Sequence, residues 1–121
     1  MSRNILLVEF PWGRDKDPRV PLGHASILAM LQAMPDIQCQ SFVKPINAPK
    51  FQLDDVKKEI LSKLSKLGEN TDIAIGVYVW CEDVIKSILT SLRSNNFEGR
   101  IILGGPQISY SVRGLECIYP E

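Results

Sequence analysis

The chain has 121 residues, of which 45% are hydrophobic and 23% charged, with fourteen basic and fourteen acidic residues that cancel to a formal net charge of zero. This length supports one hydrophobic core and the composition excludes intrinsic disorder. The cancelling charges argue against a field that would draw the chain to nucleic acid or to an anionic membrane.

Residues 1–121 therefore read as a single domain. The six lysines between Lys44 and Lys66 are interleaved with Asp54, Asp55 and Glu59 and read as the wet face of a helix. Cys39, Cys81 and Cys117 are too few and too far apart for a disulfide framework or a close metal-ligand set, which points to a reducing cytoplasm. The apolar run at residues 5–8 is too short for a secretory signal, and no stretch approaches the length of a membrane span. A soluble cytoplasmic protein is expected.

Ile5, Leu6, Leu7 and Val8 form an uninterrupted aliphatic run that predicts a first strand buried on both faces. Residues 10–21 carry three prolines and many polar groups, and predict a long loop of functional character. Residues 22–34 are nearly apolar throughout and stop before Pro35, which predicts a largely buried helix. Residues 37–43 have an ambiguous alternation that suits an edge strand.

After a loop at residues 45–52, Asp54 is placed to cap a second helix carrying Val56, Ile60, Leu61, Leu64 and Leu67 on one face, closed by Gly68. Residues 72–79 predict a third, central strand, within which Gly76 allows another group to come close. Glu82 and Asp83 suit the positive end of a third helix carrying Val84, Ile85, Ile88, Leu89 and Leu92. Gly99 then precedes a fourth strand at residues 100–103, which runs into Gly104-Gly105-Pro106, and a short helix is expected around residues 109–115.

Alternating strands and helices of these lengths require parallel strands covered on both faces. The expected fold is a doubly wound α/β sheet, Rossmann-like or flavodoxin-like, with four evident strands in the order 2-1-3-4 and a fifth missing or truncated. In such a sheet the ligand crevice lies beyond the carboxyl ends of the strands, where the strand order reverses. Three segments are expected to meet there: residues 10–23, residues 79–83 and residues 104–108.

Their chemistry suits holding a large flat or elongated molecule, with Trp12, Tyr78 and Trp80 as apolar surface and Gly104 and Gly105 as points of close approach. No nucleophile is paired with a base, and no catalytic or metal-ligating residue is assigned. His24, the one histidine, reads as a helix-end or packing residue more readily than as a ligand. Cys81 lies beside acidic residues that raise a thiol's pKa, and at a helix N-terminus that lowers it. Each motif also has a plain structural reading: a tight turn for the two glycines, and a cap on the core edge for Trp12 and Trp80.

Pro21-Leu22-Gly23-His24-Ala25, Ile75-Gly76-Val77-Tyr78-Val79-Trp80 and Ile101-Ile102-Leu103-Gly104-Gly105-Pro106-Gln107-Ile108-Ser109 together resemble the N-terminal cobalamin (B12)-binding domain of B12-dependent radical SAM enzymes, in order and spacing, across nearly the whole chain. The resemblance implies a corrinoid held over the strand ends with its nucleotide tail threaded beside the sheet. It implies Leu22, Gly23, Tyr78, Val79, Trp80, Gly104, Gly105 and Pro106 as cofactor-facing positions.

The Asp-x-His-x-x-Gly signature of B12 domains is absent, because the loop reads Glu9-Phe10-Pro11-Trp12-Gly13-Arg14-Asp15, so no histidine is expected on the cobalt. The CxxxCxxC run of the radical SAM cluster is also absent. An iron-sulfur cluster and S-adenosylmethionine are implied only where a downstream radical SAM domain exists.

The competing reading is a non-enzymatic interaction or regulatory domain that keeps the fold without the cofactor and dimerises through an exposed sheet edge. A flavodoxin or a phosphorelay receiver fits less well. The first loop lacks a Ser/Thr/Gly-rich phosphate cradle, and no carboxylate directly ends the third strand.

Overall fold

A computed structural model describes residues 3–13 and 22–105. Strands β1 (Arg3–Glu9), β2 (Ile37–Val43), β3 (Thr71–Gly76) and β4 (Ile101–Gly104) form one parallel sheet in the order β2-β1-β3-β4. Helices α1 (Leu22–Gln32), α2 (Leu53–Leu67) and α3 (Glu82–Ser94) make the connections. The fold class and strand order are those expected from the sequence.

Right-handed crossovers decide which helix covers which face. The step from β1 to β2 runs one way across the sheet, whereas the steps from β2 to β3 and from β3 to β4 run the other way, so α1 lies on one face and α2 and α3 on the opposite face. The main core belongs to the α2/α3 face. Leu6, Val8, Ile73 and Ile75 from the central strands pack there against Val56, Ile60 and Leu64 of α2 and Ile85, Ile88, Leu89 and Leu92 of α3. Their spacing along each helix is the one that keeps apolar side chains on a single stripe. Phe10, just past β1, closes this core edge-to-face against Phe42 and Phe51.

Several local expectations change. The first helix is not largely buried: α1 packs chiefly on β2 and less on β1, and Ile27, Met30 and Met34 remain exposed. Its apolar residues are distributed around the helix, and a single layer of sheet can cover only one side. β3 ends at Gly76, and Val79 opens a 3-10 turn, Val79–Cys81, that leads into α3. Gln52, not Asp54, occupies the cap of α2 and makes no side-chain capping bond; Asp54 and Asp55 lie in the first turn, where they favour the helix dipole. Gly68 ends α2 with a positive φ of 85°, a conformation that favours glycine. The helix expected around residues 109–115 lies outside the described residues, as does any fifth strand.

The amino ends of the strands are tied by one buried carboxylate. Arg3 of β1 grips Asp72 of β3 through Nε at 3.0 Å and Nη2 at 2.7 Å, and Arg100 adds its backbone N–H at 3.0 Å and Nη2 at 3.1 Å. These donors hold the Asp72 carboxyl at about 2, with the Arg3 hydrogen bonds the largest cause. The fork ties β1, β3 and β4 together at the amino end of the sheet, opposite the carboxyl ends of the strands.

Candidate functional site

The parallel register aligns one row of residues across the carboxyl end of the sheet. Val43 pairs with Glu9, and Gly76 pairs with Gly104. The row beneath it holds Ser41, Leu7, Ala74 and Ile102. On the β3 and β4 side these rows present only Ala74, Gly76 and Gly104 besides Ile102, so little projects from the sheet there. A trough results, walled on its other side by α1.

The trough is a cavity of about 450 Å3, within the range usual for small-molecule sites. Ile5, Leu7, Ile27, Leu31, Ala74 and Ile102 make its apolar walls. Gly23, Gly76, Gly104 and Gly105 form its rim and floor. A Cβ on Gly23 or Gly104 would meet nothing within 4 Å, so both backbones stand open to an incoming group. Gly105 is different: its φ is 98° and a Cβ would lie 2.9 Å from the Val77 carbonyl oxygen, so glycine is required there by the backbone itself.

Buried Glu9 and His24 and half-buried Tyr78 close the cavity as a polar cluster. The Glu9 side chain lies over Gly76, where an added Cβ would come within 3.4 Å of Oε1; this is the close approach that the glycine permits. The Tyr78 hydroxyl donates to Glu9 Oε1. His24 Nδ1 stands 3.3 Å from Glu9 Oε2, and its Nε2 is 2.7 Å from the Ser41 hydroxyl. The arrangement fits a neutral ring with its proton on Nδ1 facing the carboxylate and Nε2 accepting from Ser41.

Burial lowers the His24 pKa below its ordinary value, against the opposing pull of Glu9. Burial also raises the Tyr78 hydroxyl, and the adjacent Glu9 carboxylate raises it further. The Cys81 thiol is fully buried and is pushed up by that burial, so it is an inert core thiol and not a nucleophile.

Above the cavity, the Tyr78 and Trp80 rings stack with centroids 4.8 Å apart and planes 3° from parallel. Trp80 Nε1 donates to the Phe10 carbonyl at 2.9 Å, which binds the turn after β3 to the segment after β1. Gly13 and Asn47 extend this bracing, exchanging hydrogen bonds at 2.7 and 2.8 Å between the first loop and the segment after β2. Trp12 remains 57% exposed and does not cap the core.

Of the positions expected to converge, Gly23, Tyr78, Gly104 and Gly105 line one cavity. Trp80 joins them through its stack on Tyr78. Val79 is 72% exposed at the rim and does not line the cavity. Leu22 is the first residue of α1, and Pro106 lies outside the described residues.

Glu9 and His24, absent from the expected set, are the buried polar groups of the site. The signal available was a carboxylate ending an otherwise aliphatic strand, together with a histidine in the first turn of the next helix. Among the described residues no group of three or more His, Cys, Asp or Glu could hold a metal ion, and no helix is long and apolar enough to cross a membrane. Comparison with protein-family models, curated proteins and solved structures finds no match.

Proposed function

We propose that the chain is a cobalamin-binding domain of the kind found in B12-dependent radical SAM enzymes of methyltransferase type, with no catalytic centre of its own. The observation that carries this reading is the shared cavity of Gly23, Tyr78, Gly104 and Gly105, open at the carboxyl ends of β1, β3 and β4.

A corrin is too large for a cavity of about 450 Å3. The Tyr78–Trp80 stack and exposed Val79 at the rim would hold the macrocycle, and the trough between α1 and the sheet would take its nucleotide tail. Gly23 and Gly104 fit that role because their backbones are bare. Leu22 and Pro106 enter the proposal from the sequence alone.

His24 is buried, with Nε2 hydrogen-bonded to Ser41 and Nδ1 facing Glu9 at 3.3 Å, so a corrinoid would be held without this histidine on the metal. Bound cobalamin would supply a methyl carrier or an architectural cofactor. Any iron-sulfur cluster and S-adenosylmethionine would belong to a separate cluster-bearing domain.

Mixing the chain with hydroxocobalamin, desalting it and recording the visible spectrum tests the proposal. Retained corrinoid absorbance is expected, and Gly104→Leu, which fills the open floor, should abolish retention while leaving the circular dichroism unchanged. Absence of retained corrinoid on the wild-type chain rejects the reading.

A second reading, an interaction domain without cofactor, is favoured by the outer face of α1. Residues 22–34 contain no charged side chain, and Met30 is 57% and Ile102 47% exposed. A second copy of the chain docking on this face and on the β4 edge would cover both. Sedimentation should then show a dimer, and a strict monomer at high concentration counts against it.

A further inference from the structure

The Glu9 side chain is 4% exposed and borders the cavity. Its Oε1 accepts from Tyr78, while His24 Nδ1 stands 3.3 Å from Oε2, beyond the usual range of an N–H···O bond. An ionised carboxylate offers about four acceptor positions, and buried acceptors are nearly always filled. Among the described residues, one firm hydrogen bond, from Tyr78, serves the Glu9 carboxylate.

The rest of the cavity is apolar, with Ile27, Leu31, Ala74 and Ile102 as walls, and its floor is bare at Gly104, while the Glu9 side chain itself covers Gly76. A cation directed at Glu9 would itself have to be desolvated among these walls, at a cost that a neutral donor avoids.

We infer that this cavity selects a compact planar ring, apolar over its body and carrying one neutral N–H group that donates to Glu9. Apolar burial supplies the affinity and the Glu9 acceptor supplies the orientation. The inference concerns the cavity floor alone, so it stands or falls independently of corrinoid binding: hydroxocobalamin could wash away while ring selectivity persists.

Titration of the full chain with 3-methylindole and 1-methylindole, followed by NMR shifts of Ile27, Leu31 and Ile102 methyl groups, separates the two contributions. The probes are isomers of equal bulk, and only the first has an N–H. The 3-methyl isomer should bind at least tenfold more tightly, and Glu9→Met should reduce the ratio to about twofold or less, chiefly by weakening the 3-methyl isomer. Equal binding of the isomers to the wild-type chain, or no binding of either at millimolar concentration, overturns the inference. The wild-type ratio alone decides the matter if Glu9→Met does not fold.

Discussion

Tyr78 and Glu9, 69 residues apart in sequence, are joined by a hydrogen bond from the phenol to the carboxylate at the point where β1 and β3 both end. The contact couples the floor of the cavity to its aromatic rim, because the same tyrosine ring stacks on Trp80. Tyr78→Phe preserves the stack and removes the firm donor to a buried carboxylate. It should destabilise the fold by about 1–3 kcal/mol in urea unfolding. A double-mutant cycle with Glu9→Gln should return a coupling of about 1 kcal/mol or more, whereas strictly additive losses would mean that the bond contributes nothing net.

His24 sets a pH dependence near neutrality. Its folded-state pKa lies below the unfolded value, because burial outweighs the pull of Glu9. The unfolded chain therefore binds the proton more readily, and stability should be fully present above about pH 6.5 and fall as pH drops below it. Urea midpoints measured between pH 7.5 and about pH 5 should show this slope, and His24→Gln should flatten it.

Asp72 governs a separate, more acidic window. Its carboxyl is lowered from 3.8 to about 2, first by the Arg3 hydrogen bonds. The associated stability, roughly 2 kcal/mol, is present above about pH 4 and is lost as pH falls toward 2. Asp72→Asn should cost a similar amount at neutral pH and remove the acid-side slope. The two arginines, partly exposed at 37% and 69%, can turn toward water, which limits the loss.

Gly104, the last residue of β4, and Gly105, just after it, should respond differently. Gly104→Ala projects into open space at an ordinary φ and should change stability by less than about 0.5 kcal/mol. Gly105→Ala forces a Cβ into a positive-φ conformation against the Val77 carbonyl and should cost about 1–3 kcal/mol. Thermal melts of the two variants side by side check the contrast.

Much of this architecture is legible in the residues themselves. The aliphatic runs of β1 and β3, the apolar stripes of α2 and α3 and the acidic first turn of α3 each carry a local period that specifies an element and its buried side. Alternation of strand and helix then leaves a parallel sheet as the economical arrangement. Gly76 signalled a close approach, although nothing local identified Glu9 as the approaching group.

Tertiary structure decided the rest. Periodicity marks a side chain as facing inward, but crossover direction and register determine what it faces. His24 meets Glu9 because α1 folds back over β1, and Glu9 meets Tyr78 because β3 lies beside β1 in register. The same crossovers put two helices on one face and one on the other, which leaves the apolar residues of α1 exposed and opens a trough over Ala74, Gly76 and Gly104. Local sequence therefore determined the elements and the main core, whereas the cavity and its polar lining arose from long-range packing that no short window of residues encodes.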